Sequence, residues 1–291
     1  MLNTALIATF LREATARERT QRVPEPDLVM DDPEKVAAFT RAGREDGVMA
    51  PVYLFHCAQI CEVIRPGDRV VDLGCGPGTQ LAMVARLNPD AHFLGIDLSA
   101  QMLDRATGHV RSLGLRNVEF SLGDITRLAA VPTASVDAIC STVAFHQLPD
   151  VEHLGRAAAE AARILKAGGG VYIVDFARLK SQRSIDYFAH QYADRQPELF
   201  TLDYLNSLKA AFTLAELRAV VEAHLSGRAQ VYAMFAMHFM AAIKSPARAL
   251  NSNGVRGQLR ELRQALPGHH AKDLSNLVNL FRLGGLHSRL L

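Results

Sequence analysis

The sequence has no tryptophan and few cysteines, only Cys57, Cys61, Cys75 and Cys140 among 291 residues. A small secreted domain held by disulfides needs a far denser set, so that class is excluded and we expect reduced thiols. Cys57 and Cys61 are four positions apart beside His56, a spacing that a soft metal or arsenic can use. Two thiols do not complete a metal site, so no metal is predicted.

Long apolar runs and a strong charge imbalance are also missing. No run reaches the roughly 18 to 20 apolar residues that cross a bilayer, and the stretch from Val231 to Ile243 contains His238. The formal net charge of +2 favours neither nucleic acid nor an anionic membrane as the main partner. The apolar opening MLNTALIATF lacks a basic leader, which favours an amphipathic helix over a signal peptide. We expect a cytoplasmic protein with a small-molecule or peptide substrate.

The sequence does have the residues of a large core, with 49% hydrophobic and 21% charged positions. From Asp68 to about Phe176, short apolar runs alternate with helical stretches, and those runs are RVVDLG, AHFLGID, VEFSLGD, VDAICSTV and GGVYIVDF. Strands joined by helical crossovers form a parallel sheet with helices on both faces. The run AQVYAMFAMHFMAAI is expected to be a final strand that closes the sheet as its edge pair. We predict a doubly wound α/β fold with a mostly parallel sheet.

Three regions are predicted along the chain. Residues 1–65 form an N-terminal helical cover or lid, interrupted around 23–32 by two prolines. Residues 66–243 form the core, with an insertion at about 177–212. Residues 244–291 form a C-terminal helical extension.

Two local features mark the chain after the insertion. Thr213 and Glu216 match a capping box, in which each side chain bonds a backbone donor of the first helical turn. The tail is basic, with Arg248, Arg256, Arg260, Arg263, Lys272, Arg282 and Arg289. We interpret the tail as a solvated or interface-forming helix pair that could support a homodimer. A role in holding an acidic partner or carrier peptide is the alternative.

The strongest motif is VVDLGCGPGTQ, residues 70–80, in which an apolar strand runs into closely spaced glycines, Gly74, Gly76 and Gly78. Glycine allows positive φ and a close approach of ligand to backbone. Such a turn at the carboxyl end of the first strand lies where open α/β sheets bind ligands. Asp72 is placed to balance the ammonium group of a ligand. A dinucleotide fingerprint needs a small residue where Thr79 stands, which argues against a nicotinamide-linked oxidoreductase.

The next two strands also end in carboxylates. Asp97, after the second strand, can accept hydrogen bonds from two ribose hydroxyls, each worth about 1.5 to 3 kcal/mol. Asp124 and Ile125, after the third strand, can meet the amino group and the ring face of an adenine. Three consecutive strands that each end in aspartate are a more specific signal than any single aspartate.

Over residues 50–243 the sequence resembles the class I S-adenosylmethionine-dependent methyltransferases. VVDLGCGPGT is similar to their glycine-rich first motif, GIDLSAQML to their ribose-binding motif and LGDI to their adenine-contacting motif, while DAICSTVAFHQLPD and RILKAGGGVYIVDF resemble their later strands. The H-x-L-P-D ending resembles the small-molecule branch. The resemblance implies a seven-stranded, Rossmann-like sheet, with S-adenosylmethionine as cofactor and S-adenosylhomocysteine as product. The cofactor-binding residues it implies are Asp72, Gly74, Cys75, Gly76, Gly78, Asp97, Leu98, Met102, Asp124, Ile125, Ser141 and Thr142.

The implied reaction is an in-line displacement, for which orientation in one pocket can lower the barrier by about 7 to 11 kcal/mol. A base is useful when the acceptor is a phenol, a thiol or a protonated amine, and the catalytic candidates are His146 and Asp175. If the helix from Pro51 to Ile64 folds across the pocket, Tyr53 and His56 form a lid over the cofactor. The alternative is a simple packing stripe of Tyr53 with Cys57, Ile60 and Cys61. The expected acceptor pocket consists of Tyr53, His56, His146, Tyr187, His190 and Tyr192.

Two other functions remain open at this point. One is an NAD-dependent oxidoreductase, and the other is a catalytically silent, methyltransferase-like binding or scaffold subunit. The acceptor atom is equally open among oxygen, nitrogen, sulfur and carbon. An apolar slot would favour an aromatic or quinone-like acceptor, and a wide polar cleft would favour a peptide.

Overall fold

The computed structural model of the protein describes residues 4–17, 20–43, 47–248 and 253–291. The strands are β1 (Arg69–Leu73), β2 (His92–Asp97), β3 (Val118–Leu122), β4 (Val136–Thr142), β5 (Leu165–Phe176), β6 (Gln230–Ala233) and β7 (Met240–Lys244). The helices are α1 (Thr4–Thr15), α2 (Pro33–Ala42), α3 (Ala50–Cys61), α4 (Thr79–Leu87), α5 (Ala100–Ser112), α6 (Val151–Ile164), α7 (Gln182–His190), α8 (Glu198–Ala210), α9 (Leu214–His224), α10 (Asn253–Ala265) and α11 (Gly268–Leu283). A short 3-10 helix, Phe145–Gln147, follows β4.

The seven strands form one sheet in the order β3-β2-β1-β4-β5-β7-β6. Strands β1 to β5 are parallel, while β7 runs antiparallel to both of its neighbours. The predicted mostly parallel, seven-stranded α/β fold is confirmed. Because parallel strands all end at one edge, the turns after β1, β2 and β4 meet there, at the position where open α/β sheets bind ligands.

Helices cover both faces of the sheet, as a parallel sheet requires. One face packs against α3 and α4, and the other packs against α6 and α9. The buried residues of α6 recur every three or four positions, which gives the apolar stripe of a helix with one solvated face. Helix α3 is buried on nearly every side, because it contacts β5 of the sheet, α4, α10 and α11. Phe55 of α3 stacks on Phe281 of α11 with ring centroids 5.1 Å apart.

The N-terminal region lies over the carboxyl edge of the sheet. The segment 20–32, which we call the strap, has no regular secondary structure, as its prolines predict. Arg22 fixes one end, because its guanidinium donates to the carbonyl oxygens of His146, Leu148, Pro149 and Ala210. The other end is held where Ser99 Oγ donates to the carbonyl oxygen of Met30 at 2.9 Å.

The final strand predicted over AQVYAMFAMHFMAAI is wrong as one element. The run forms two antiparallel strands, β6 and β7, joined by a bend in which Ala236 has a φ of 61°. The bend contains no glycine or proline, so the sequence carries no turn signal there. The capping box of Thr213 and Glu216 is present as predicted at the start of α9.

The two ends of the described chain are helical. Helix α1 occupies the apolar opening, whose first three residues lie outside the described residues, and Glu13 accepts hydrogen bonds from the amides of Lys180 and Ser181. In the tail, Arg248 reaches back to Asp68 with an N–O distance of 2.7 Å. No helix within the described ranges is long and apolar enough to cross a membrane.

Candidate active site

A cavity of about 260 Å³ opens at the carboxyl edge of β1, β2 and β4, beneath the strap. We call it the outer cavity. Leu28, Val29 and Met30 of the strap form part of its wall. Most of the expected cofactor-binding residues also line it, and these are Asp72, Gly74, Cys75, Gly76, Asp97, Leu98, Met102, Asp124, Ile125 and Thr142.

The glycine turn shapes one wall of this cavity. Gly76 has a φ of 52°, and a Cβ at this position would meet no atom within 4 Å, so the turn leaves open space beside its backbone. Gly78 has a packing role instead, because a Cβ at this position would lie only 2.9 Å from Ala106 Cβ. Gly78, the N-cap of α4, therefore allows the start of α4 to pack closely against α5 and does not line the cavity.

Asp72 supplies a buried carboxylate at the end of β1. Only 5% of its surface is exposed, and burial raises the pKa of Asp72 to about 7, although the Cys140 thiol donates a hydrogen bond to it. In the part of the chain that the structure describes, no basic side chain forms an ion pair with Asp72. A buried carboxylate without a cation is costly. The ammonium group of a ligand in the outer cavity would supply the missing charge.

Asp97 stands at the end of β2 with both oxygens oriented by the backbone. Its Oδ2 accepts from the Gly76 amide at 2.8 Å, and its Oδ1 accepts from the Ser99 amide at 2.9 Å. Burial raises the pKa of Asp97, and these hydrogen bonds oppose the rise. A carboxylate has about four acceptor positions, so two remain for the hydroxyl groups of a ribose.

Asp124 and Ile125 form the far wall of the outer cavity. Asp124 Oδ1 accepts from both the amide and the hydroxyl of Thr126, which fixes the side chain in a turn, and its Oδ2 stays available. Ile125 gives a half-buried aliphatic surface beside it. This pair suits a flat ring with an exocyclic amino group. The residues of the outer cavity therefore fit the ammonium, ribose and adenine groups of S-adenosylmethionine.

A second cavity of about 70 Å³ adjoins the first, and we call it the inner cavity. Both cavities are lined by Met30, Phe39, Tyr53, Thr142, Val143 and Gln147. The remaining wall of the inner cavity is largely aromatic, with Phe176, Phe200, Tyr204 and Phe239. Helix α8, within the predicted insertion, contributes Phe200, Asp203, Tyr204 and Ser207.

His146 and Asp175 form a hydrogen-bonded pair at the inner cavity. His146 Nδ1 lies 2.7 Å from Asp175 Oδ1, and the His146 amide donates to Asp175 Oδ2 at 2.8 Å. Burial alone would lower the pKa of His146, but the charge of Asp175 and the hydrogen bond to it raise the pKa above its ordinary value. The described residues offer no hydrogen-bond partner to the buried Nε2 atom. An imidazole held through Nδ1 with Nε2 available is the arrangement of a general base.

Several residues expected at the site lie elsewhere. Ser141 Oγ donates to the Leu73 carbonyl oxygen inside the sheet, and Gly78 packs against α5. His56 is fully buried in the core, where its Nδ1 lies 2.7 Å from the Tyr172 hydroxyl and burial lowers its pKa to about 3. Helix α3 does pass beside the cavities, but only its Tyr53 face reaches both of them.

The residues expected from α7 and the loop after it also lie outside the two cavities. Tyr187 and Tyr192 line a third cavity of about 190 Å³ beside α11, and His190 is exposed with its Nδ1 2.9 Å from the Asp186 carbonyl oxygen. Cys57 and Cys61 are buried in α3 as free thiols. Within the described ranges no group of three or more histidine, cysteine or acidic side chains could hold a metal ion.

Two acidic residues near the inner cavity carry no sequence signal. Glu25 belongs to the strap, and its Oε1 accepts from the Ser207 hydroxyl and lies 3.8 Å from His146 Nε2. Asp203 belongs to α8 and lines the cavity directly. Neither lies in a motif, and only the folding of the strap over the sheet brings them together.

A glycine turn at β1 and aspartates at three neighbouring strand ends, on a sheet of this order, define the Rossmann-like class of methyltransferases. A model of the family described as a methyltransferase domain matches residues 64–227, and the chain belongs to this family.

Solved structures agree with this fold. A SAM-dependent methyltransferase from Aquifex aeolicus superposes with a TM-score of 0.52 at 19% identity, covering 74% of this chain and 98% of that one. An O-methyltransferase family protein from Burkholderia thailandensis gives a TM-score of 0.54 at 17% identity, covering 75% of this chain and 64% of that one.

Curated relatives match through the core. The arsenite methyltransferase of Halobacterium salinarum is 34% identical over 113 residues, which are 38% of this chain and 28% of that protein. The 27-O-demethylrifamycin SV methyltransferase of Amycolatopsis mediterranei is 32% identical over 124 residues, which are 42% and 44% of the two chains. The chain thus spans less than half of the length of these relatives.

Proposed function

We propose that this protein transfers a methyl group from S-adenosylmethionine to a small organic acceptor bound in the inner cavity. The observation that carries the proposal is the adjacency of two different sites. The outer cavity has carboxylates suited to a charged nucleoside, and the inner cavity has an aromatic wall and the His146–Asp175 pair. Tyr53 and Thr142 line both cavities, so a cofactor and an acceptor bound there would meet at these residues.

The outer cavity would hold the cofactor through three strand ends. Asp72 would bind its ammonium, Asp97 its ribose hydroxyls, and Asp124 with Ile125 its adenine. When bound, S-adenosylmethionine supplies an electrophilic methyl group whose bonding electrons stay on sulfur.

The inner cavity would orient the acceptor and remove its proton. The aromatic side chains and the strap exclude water, and alignment of the acceptor can lower the barrier by about 7 to 11 kcal/mol. His146 Nε2 would receive the proton, while Asp175 holds the ring and stabilises the imidazolium. Proton transfer of this kind contributes about 10²- to 10⁴-fold to a rate.

The relatives support a small acceptor without naming it. The names of the two proteins above refer to arsenite and to a rifamycin, and both are small molecules. The aromatic wall of the inner cavity favours an organic acceptor over arsenite, and Cys57 and Cys61 are buried in the core away from either cavity.

Calorimetric titration with S-adenosylhomocysteine tests the cofactor site. We expect one-to-one binding that Asp97→Ala weakens by roughly ten- to a hundred-fold, because the hydroxyl contacts are lost. Glu119→Ala, which removes an exposed carboxylate from neighbouring β3, should bind as the wild type does. If neither S-adenosylmethionine nor its product gives heat or shifts the melting temperature, the proposal is wrong.

Methyl transfer itself is tested with S-adenosylmethionine labelled on the methyl carbon and a panel of amines, phenols and thiols. His146→Ala should slow turnover much more than it weakens cofactor binding. Transfer at an unchanged rate in this variant would remove His146 from the mechanism.

A further inference from the structure

The inner cavity contains polar atoms that its own wall does not satisfy. Asp203 Oδ2 is buried without a hydrogen-bond partner among the described residues, and the residue as a whole is only 9% exposed. His146 Nε2 is also buried without a hydrogen-bond partner among the described residues. Buried polar atoms are almost always hydrogen-bonded, so these two mark the position of a polar ligand group.

The charges around the inner cavity are predominantly negative. Asp203 lines it, and Glu25 Oε1 lies 3.8 Å from His146 Nε2. A small neighbouring cavity is lined by Glu25 and Asp203 together with Asp27, Asp31, Asp32 and Lys35. Burial raises the pKa of Asp203 to about 6, which still leaves the carboxylate mostly ionised at neutral pH. An anionic acceptor would therefore be repelled at this position.

The basic groups in the vicinity are already engaged. The Arg22 guanidinium donates to backbone carbonyl oxygens and lies 4.1 Å from the centroid of the Phe212 ring. Lys35 is paired with Asp27 at 2.8 Å. His146 is paired with Asp175. Neither Arg22 nor Lys35 lines the inner cavity. The charge of Lys35 lowers the pKa of Asp203, but Lys35 forms its ion pair with Asp27, so Asp203 has no ion-pair partner among the described residues.

The aromatic wall suits the same kind of ligand. The rings of Phe176 and Tyr204 lie with centroids 5.4 Å apart, those of Phe176 and Phe239 lie 5.7 Å apart, and Phe200 lies beside Tyr204. Aromatic faces attract cations and also pack against apolar substituents. A carboxylate set within aromatic rings is complementary to an ammonium group on a small apolar body.

We infer that the methyl acceptor is an amine that binds as its ammonium ion, held by Asp203 and deprotonated by His146. The inference rests on the proposed function and names its substrate class. The ammonium N–H bond breaks, the proton goes to His146 Nε2, and the freed lone pair on nitrogen forms the bond to the methyl carbon. The electron pair of the broken carbon–sulfur bond stays on sulfur, which becomes a thioether. The product is the N-methylated ammonium ion, and the proton on His146 passes to solvent.

Three probes of one shape but different charge test this assignment. Benzylamine, benzyl alcohol and benzoate are titrated calorimetrically into protein saturated with S-adenosylhomocysteine, after binding of that compound has been measured alone. We expect benzylamine to bind at least tenfold more tightly than benzyl alcohol, and benzoate not to bind.

Two variants on α8 locate the charge responsible. Asp203→Asn should abolish the preference for benzylamine while leaving the affinity for S-adenosylhomocysteine within about twofold. Glu198→Gln removes an exposed carboxylate from the same helix and should keep the preference.

Each outcome of these titrations decides one of the two proposals. Three results would overturn the amine assignment and leave the methyltransferase proposal intact. They are benzoate binding as tightly as benzylamine, a preference for benzylamine that survives Asp203→Asn, and no binding of any probe to the saturated protein. Failure of the wild-type protein to bind S-adenosylhomocysteine at all would overturn the proposed function and the amine assignment with it.

Discussion

One carboxylate, that of Asp175, holds both the ring and the main chain of His146. Oδ1 lies 2.7 Å from the imidazole Nδ1, and Oδ2 accepts from the histidine amide at 2.8 Å. The end of β5 thereby fixes the 3-10 helix that follows β4. Because the ring cannot turn without breaking the first of these bonds, Nε2 stays on the side of the ring away from Asp175, 3.8 Å from Glu25 Oε1.

Asp175→Asn should lower the pKa of His146. The variant keeps the shape of the side chain but removes the charge that now raises the pKa of His146 against burial. The acid limb of a pH–rate profile should move to lower pH, and the rate should fall. Imidazole NMR as a function of pH measures the shift directly.

Asp150→Asn is the matched control for that measurement. Asp150 forms the same kind of pair with the more exposed His153, with an N–O distance of 2.7 Å. This variant should leave the titration of His146 unchanged. An unaltered pKa of His146 in Asp175→Asn would show that the carboxylate does not tune the base.

Asp72→Asn should raise the melting temperature of the ligand-free protein, increasingly so at higher pH. The folded-state pKa of Asp72 is raised to about 7, so ionisation of the folded protein opposes folding. The stability associated with the protonated form is fully present below the ordinary aspartate pKa of about 3.9 and is lost as the pH rises through about 7. We expect the difference in melting temperature to widen by roughly 5 °C from pH 5 to pH 8.

Asp104→Asn, at an exposed position on α5, should show no such widening. The same Asp72→Asn protein should bind S-adenosylhomocysteine more weakly, because the ammonium loses its carboxylate. A melting difference that is equal at both pH values would contradict the raised pKa.

Arg22→Lys should destabilise the protein by about 2 kcal/mol. A lysine ammonium cannot reach several carbonyl oxygens in different directions, as the planar guanidinium of Arg22 does. Urea unfolding measures the loss, and hydrogen exchange should be faster in the strap and the 146–149 turn. Arg12→Lys on α1 should have little effect on either measurement, and an equal effect of both variants would argue against the anchoring role of Arg22.

Gly76→Ala and Gly78→Ala should separate ligand binding from packing. Both positions have positive φ, which costs a non-glycine residue about 1 to 2 kcal/mol. The added methyl meets open space at position 76 but lies within 2.9 Å of Ala106 Cβ at position 78. Gly76→Ala should mainly weaken S-adenosylhomocysteine binding, while Gly78→Ala should mainly lower the free energy of unfolding. The opposite ranking in calorimetry and urea titration would contradict these assignments.

The sequence was most informative where the signal is local. The glycine turn, the strand-end aspartates and the capping box of Thr213 and Glu216 each depend on a few adjacent residues, and the structure has the predicted strands and cap at those positions. Periodicity was less informative for α3. It identified a buried helix but could not tell that Tyr53 faces the cavities while His56 faces Tyr172.

Sequence patterns did not predict the acidic residues at and near the inner cavity. Glu25 and Asp203 lie far apart in the chain and meet through tertiary packing, which no motif encodes. Tyr187, His190 and Tyr192 were chosen because they belong to the insertion, yet it is α8 that lines the inner cavity. The bend between β6 and β7 was missed because alanine, not glycine, takes the positive φ there.

The stacking of Phe55 on Phe281 bears on how the protein is made. A nascent chain that ends at β7 already contains every strand of the sheet, but the outer side of α3 still faces water because α11 has not been synthesised. Contacts this distant in sequence form late and slowly. We therefore expect a translation intermediate with an exposed apolar helix, which is the kind of surface that chaperones bind.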